Sequence, residues 1–349
     1  MWIFSLIVFI LVLGLIILVH EFGHFICAKK SGVHIYEFSI GMGPLIFSHK
    51  GKDGINYNIR ALPIGGFVQM AGEVYEDDGE IPKEKFMCNR PWYQRLAILV
   101  AGVFNNFVLA IILLFILAVI WEPTSSTPKV LNVQEDSAAS TSGMQSGDII
   151  NAINGHKFTS WDVGQIYLYY KNNDNVYTFD VTHENGQKET LTLVPKITKD
   201  EKGNETKTFG IQIDNRRDKN FIECVKFTFQ KFIDIMKSMA ITVWGLLSGQ
   251  VSVSNLSGPV GIYKVVDQSV KYGIQQLIYI TAFLSINVGF INILPFPAFD
   301  GGHVFFMILE KLKGSKLNAK FENTCNMIGF ALLMLLMLYI TVQDIIKFF

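Results

Sequence analysis

Long apolar blocks alternate with mixed segments along the chain, and the blocks set the architecture. Trp2 to Val19 holds no charged residue, and the apolar pattern resumes after His20 and Glu21 as far as Ala28. Leu96 to Trp121, Tyr272 to Phe299 and Asn323 to Gln343 are uncharged as well. A helix that crosses a bilayer needs about 20 apolar residues, so the pattern predicts four spans. The first lacks the basic start and small-residue cleavage site of a signal peptide and reads as a permanent helix.

The segments between the blocks have patterns of their own. Residues 29–95 contain Phe38, Ile40, Ile46, Phe47, Ile55, Tyr57, Ile59 and Val68 among glycines, which predicts short strands with a hairpin turn at Gly51-Lys52-Asp53-Gly54. Residues 122–217 turn polar and β-like. In Phe221 to Leu247, Phe221, Val225, Phe229, Phe232 and Met236 follow helical spacing, while Lys226, Lys231, Asp234 and Lys237 lie largely elsewhere. That pattern predicts an amphipathic helix over 218–250 lying on the bilayer surface. A fifth span would bury those charges at about 3 kcal/mol each. Residues 251–302 then carry the third span and 303–349 a loop and the fourth.

Composition agrees with a membrane protein. Of 349 residues half are hydrophobic and only 17% are charged, against roughly 25% in soluble domains. The 30 basic and 30 acidic residues cancel, which argues against a nucleic-acid partner, and the apolar content excludes disorder. Four scattered cysteines, Cys27, Cys88, Cys224 and Cys325, form no CxxC pair and are read as free thiols. Basic residues flank the spans at Lys29, Lys30, Arg90, Arg95, Lys311, Lys313, Lys316 and Lys320. They predict that these loops are cytoplasmic and that both termini and the stretch from Glu122 to Lys271 are external.

His20-Glu21-Phe22-Gly23-His24 ends the first block. On a helix, positions i and i+4 share a face, so both imidazoles can meet one zinc ion. Glu21 is turned away from the ion but can take the proton of a water that the metal acidifies. Chance would place roughly 0.006 such motifs in a chain of this composition. The bland alternative is a polar end to a span, but ionisable residues in membrane helices are costly and usually functional.

Zinc enzymes normally use three protein ligands. The third block ends Asn292-Ile-Leu-Pro-Phe-Pro-Ala-Phe-Asp300-Gly-Gly-His303, where two prolines break the helix and Gly301-Gly302 predict a tight turn. Asp300 is the candidate third ligand, and His303 a supporting or interfacial residue. The first and third spans run in the same direction, so His20 and Asp300 both fall near the cytoplasmic boundary. With a fifth span they would lie on opposite sides.

HEFGH, the NILPFPAFDGG segment and an insert between the second and third spans resemble the site-2 intramembrane metalloproteases, in particular the bacterial regulator-of-sigma-E protease type with a single PDZ domain. Gly65-Gly66-Phe67-Val68-Gln69-Met70 and Ser257-Gly258-Pro259-Val260-Gly261-Ile262 are similar to further segments of that family. The resemblance implies zinc held by His20, His24 and Asp300, with Glu21 as catalytic acid/base. It also implies a membrane-associated β-hairpin whose edge pairs with the unwound substrate. Ser137-Ala138-Ala139, Gly143, Gly147-Asp148-Ile149-Ile150 and Ile153-Asn154-Gly155 match the core signature of a bacterial PDZ domain, an α+β fold. Such a domain either grips an extended peptide or serves as a size filter. Where the family has Gly-Pro-x-x-Asn-Phe, this chain has Gly102-Val103-Phe104-Asn105-Asn106-Phe107, without the proline, and Phe299 stands for the usual Leu.

Asn106 and Asn292 lie at similar depth and are candidates to hold the substrate backbone or the oxyanion, or else to bond between helices. The reading is an intramembrane zinc endopeptidase of the bacterial cell membrane with an extracytoplasmic PDZ domain. Its substrates would be single-span proteins such as anti-sigma factors or remnant signal peptides. The alternative is a non-catalytic membrane scaffold, which zinc content would discriminate.

Overall fold

The computed structural model describes residues 2–72, 81–121, 128–158, 160–170, 175–199, 205–214, 220–253, 256–315 and 317–348. Lys316 and parts of the 122–217 insert lie outside them. Four helices are long and apolar enough to cross a membrane: α1 (Trp2–Lys30), α2 (Trp92–Ile120), α7 (Ile274–Ile293) and most of α9 (Ala319–Phe348). Contacts divide the chain into one unit of Met1–Leu113 with Val253–Phe349 and another of Leu114–Ser252.

In the first unit, the buried side of α1 is a stripe of Val12, Ile16, His20, Gly23, His24 and Ala28, which follows the 3.6-residue period. Trp2, Phe4, Ile7 and Leu11 on its other faces are exposed, as apolar side chains facing lipid would be. Packing against α2 is tight because Gly23 has no side chain. A methyl group there would lie 2.3 Å from the carbonyl oxygen of Ala101, so α1 and α2 meet backbone to backbone, as small residues allow between membrane helices.

After α1, β1 (Ile35–Lys50) and β2 (Asn56–Met70) form an antiparallel pair with several register shifts. The turn at 51–54 closes through the Gly51 N–H on the Ile55 carbonyl. Both strands bend so far that residues 56–59 lie opposite 37–40 as well as 47–50, while 66–70 pair with 35–40. Phe25, Ile35, Phe38, Ile55, Val68, Met70 and Ile98 join the sheet to α1 and α2 in one core.

The second unit contains β3 (Val130–Val133), α3 (Ala138–Thr141), β4 (Ile149–Ile153), β5 (His156–Lys157), α4 (Trp161–Tyr170), β6 (Tyr177–Thr182) and β7 (Lys188–Leu193). β8 (Lys196–Lys199), β9 (Glu205–Thr208), β10 (Ile211–Ile213) and α5 (Phe221–Leu247) complete it. Its main sheet has the order β5-β4-β6-β7, and β10 pairs with β3. Asn154 and Gly155, with φ of 49° and 76°, turn β4 into β5 as an Asn-Gly pair favours. Tyr177, Phe179 and Val181 alternate into a core with Ile150, Ile153 and Leu193.

The helix α5 covers Phe221–Leu247, within the 218–250 expected for an amphipathic helix, and is capped by the Asn220 side chain on the Glu223 N–H. Its apolar residues split into two sets. Cys224, Phe227, Ile235 and Met239 are buried, whereas Phe221 and Phe229 of the predicted stripe stay exposed.

Back in the first unit, α6 (Pro259–Tyr272) precedes α7 and packs on α1. The glycine N-cap of α6 has no capping side chain. Instead Asp344 of α9, 3% exposed, accepts the Gly258 and Gly261 N–H groups on one oxygen at 2.9 and 2.7 Å. Tyr263 of the same helix donates to the Trp2 carbonyl at 3.3 Å, so the start of α1 lies beside α6.

One expectation needs correcting. α7 stops at Ile293, ahead of the prolines expected to break it, but the turn does not fall at the glycines: a new helix, α8 (Asp300–Lys313), begins at the aspartate. Pro295 and Pro297 end α7, having no N–H to continue it. Gly301 and Gly302 do not make the turn, since they are the second and third residues of α8. The left-handed position is Ala298, with φ 78°. The two glycines permit close approach instead. A methyl on Gly301 would sit 2.3 Å from the carbonyl oxygens of Ile293 and Leu294, and one on Gly302 2.3 Å from that of Phe296.

Candidate metal centre

Two elements bring three donors together. α1 contributes His20 and His24, one turn apart on its buried stripe, and the first residue of α8 contributes Asp300. The two Nε2 atoms are 3.1 Å apart, and Asp300 Oδ2 lies 3.2 Å from that of His20 and 3.5 Å from that of His24. These atoms form the one His/Cys/Asp/Glu cluster of metal-binding geometry among the described residues.

The arrangement fits a zinc ion. Bonds of about 2.0–2.1 Å in a tetrahedron place neighbouring ligand atoms about 3.3 Å apart, and the three observed separations bracket that value. Asp300 Oδ2 is buried and accepts no hydrogen bond from any described residue. A buried carboxylate oxygen normally has such a partner, and a cation would satisfy this one. The donor set of two imidazoles and one carboxylate suits zinc and leaves a fourth position open.

The remaining ring nitrogens are held by α2. His24 Nδ1 is 2.8 Å from the Ile98 carbonyl, and His20 Nδ1 is 3.3 Å from Asn106 Nδ2. Between these contacts lies Gly102, where a methyl group would come within 2.4 Å of His24 Nε2 and 2.8 Å of His20 Nε2. Ile98, Gly102 and Asn106 are spaced i, i+4, i+8, so one face of α2 backs the His20–His24 face of α1. Ile98 does not stand out in the sequence as a functional residue, and Gly102 does so only as the glycine of the segment that resembles Gly-Pro-x-x-Asn-Phe. The available signal was their four-residue spacing from Asn106, matching that of the histidines.

Glu21 points elsewhere, toward β2: a methyl group at Gly66 would lie 3.7 Å from its Cγ. At Gly66–Val68, β2 pairs with β1 on one side and runs beside Glu21. His303 does not join the cluster but pairs with Glu322 at 3.2 Å. Asn292 is half-buried in the last turn of α7, one residue before its end. Of the expected site residues, the structure therefore gathers His20, His24, Asp300 and Asn106, with Glu21 alongside.

Comparison with known proteins agrees with this geometry. The model of peptidase family M50 matches residues 8–336. The regulator of sigma-W protease RasP of Bacillus subtilis is 30% identical over 426 aligned positions that cover all of both chains. The zinc metalloprotease RasP of Shouchella clausii is 30% identical over 99% of each chain. A candidate zinc metalloprotease of Fusobacterium nucleatum is 37% identical over 97% of this chain and 98% of its own. With two histidines of its first long apolar helix and one carboxylate of α8 gathered into a single centre, and a family match over nearly its whole length, the chain belongs to peptidase family M50, the site-2 proteases, and is a zinc metalloprotease.

Proposed function

We propose that the enzyme cuts the membrane-spanning segments of single-span proteins close to the cytoplasmic boundary of the bacterial cell membrane, with His20, His24 and Asp300 as zinc ligands and Glu21 as acid/base. The convergence of the three donors at 3.1–3.5 Å carries this reading. Zinc, when bound, offers a Lewis acid that polarises a peptide carbonyl and makes water a nucleophile near neutral pH. Glu21 takes the proton of the attacking water and returns it to the leaving nitrogen. Its place beside β2 suits that role, because a substrate strand laid along Gly66–Val68 would pass its carboxylate. Strand pairing there gives hydrogen-bond partners to the backbone groups a substrate helix frees on unwinding.

Anti-sigma factors and signal-peptide remnants are the substrate classes that fit, supported by the sigma-W regulator named among the relatives. The second unit reads as a PDZ-like domain outside the cytoplasm. Its Asn-Gly hairpin and the cavity of about 510 Å³ beside Phe209, Gly210, Ile211 and Trp161 support a screening role. The test uses Glu21→Gln in the full chain. Cleavage of a single-span reporter should vanish while zinc stays near one ion per chain, and an undiminished rate would refute the assignment.

A further inference from the structure

The supports behind the two imidazoles are unequal, and the difference has a chemical consequence. A neutral imidazole carries a single N–H. His24 Nδ1 has only a carbonyl to meet, that of Ile98 at 2.8 Å, so Nδ1 holds the proton and Nε2 offers its lone pair to the cluster. His20 Nδ1 instead meets the side-chain amide of Asn106. If Nδ2 donated to it, the ring proton would be driven to Nε2. There it would point among His24 Nε2 and Asp300 Oδ2, both within 3.2 Å, and shut out a cation.

Asn106 can resolve this. It is fully buried, and its Oδ1 has no hydrogen-bond partner among the described residues. The two ends of an amide have nearly the same shape, so a half-turn about Cβ–Cγ exchanges them without repacking. Oδ1 then accepts from His20 Nδ1–H, and Nε2 is left bare. The backbone at this point is pinned: Ser285 donates to the Asn106 carbonyl at 2.8 Å, and Phe107 fills the space left by Gly289. With no exposed surface, the Asn106 side chain presents nothing to a substrate.

We infer that Asn106 is a positioning residue. Its Oδ1 fixes the tautomer and ring plane that turn His20 Nε2 to the zinc, doing from a side chain of α2 what the Ile98 carbonyl does for His24. This rests on the proposed ligand set, so the test separates the two. Zinc affinity of the full chain in detergent is measured by competition with a chromophoric chelator, for wild type, His20→Ala, Asn106→Leu and Asn106→Asp.

His20→Ala should lose tight zinc; if it binds zinc as wild type does, the ligand set falls and this inference with it. Asn106→Leu keeps the volume without the acceptor and should weaken zinc about 10–100-fold, the usual effect of removing a partner of a ligating histidine. Asn106→Asp keeps an acceptor and has no N–H, and should bind within a few-fold of wild type. Wild-type affinity in Asn106→Leu would overturn the inference. So would an Asn106→Asp variant as weak as Asn106→Leu, because the donor would then be the working group.

Discussion

Replacing Asp344 with alanine removes the cap of a helix to which it does not belong. The start of α6 has a glycine N-cap, a proline next to it and no capping side chain. Two of its N–H groups, those of Gly258 and Gly261, end on a single oxygen of Asp344. Alanine leaves both donors buried without partners, at about 1–3 kcal/mol each. The lost charge at a helix N-terminus adds up to about 2 kcal/mol. A net loss of about 3–5 kcal/mol follows once the new alanine and partial hydration are allowed for.

Asparagine separates the contributions. Its amide oxygen can take the place of the oxygen that accepts both bonds, so only the charge is lost and the cost falls to about 1–2 kcal/mol. Equilibrium unfolding of the full chain in mixed micelles measures both variants, and hydrogen exchange at Gly258 and Gly261 reports the cap directly. The metal centre should be unaffected. Tyr263 ties α6 to Trp2, and His20 is 18 residues further along α1, about 27 Å at 1.5 Å per residue. An alanine variant that loses under about 1 kcal/mol, or an asparagine as damaging as alanine, would refute the reasoning.

Further perturbations test other links. Gly102→Ala places a methyl inside the contact distance of His20 Nε2 and His24 Nε2, so on the proposed ligand set purified protein should be folded by circular dichroism yet nearly free of zinc by elemental analysis. Gly301→Ala collides with backbone oxygens at 2.3 Å, which should cost about 1–3 kcal/mol and weaken zinc binding through displacement of Asp300. In the second unit, Asp148 at 2.7 Å and Glu189 at 3.1 Å raise the pKa of His183 above its ordinary 6.5. The stabilisation from the charged ring is complete below pH 6.5 and is lost as pH rises through the raised value. Hydrogen exchange at β4, β6 and β7 of the full chain should therefore quicken, beyond the intrinsic rate, on the alkaline side. His183→Asn should abolish that dependence.

Local rules made half of the metal centre readable. HExxH needs only one helix, and its i, i+4 geometry is fixed wherever that helix packs. Asp300 was an expectation from the parity of the spans, and its Oδ2 lies 3.2 and 3.5 Å from the two imidazoles. Features that depend on contacts between distant segments were not readable. Proline correctly announced the end of α7, but the new helix at Asp300 follows from the packing of Gly301 and Gly302 on the turn they cover. Asp344 follows directly on the uncharged run Asn323–Gln343 and caps a helix more than 80 positions earlier, a pairing that no local pattern encodes. The double pairing of residues 56–59 depends on how far β1 and β2 bend, which hydrophobic alternation does not specify.

The bare backbone of α2 at Ala101 and Gly102 also sets the spacing of two helices. Main chain there meets the Gly23 turn of α1 and the His20 and His24 rings at van der Waals range, so that a single added methyl group would find no room. Two small residues, themselves without chemistry, thereby hold α1 and α2 at one separation.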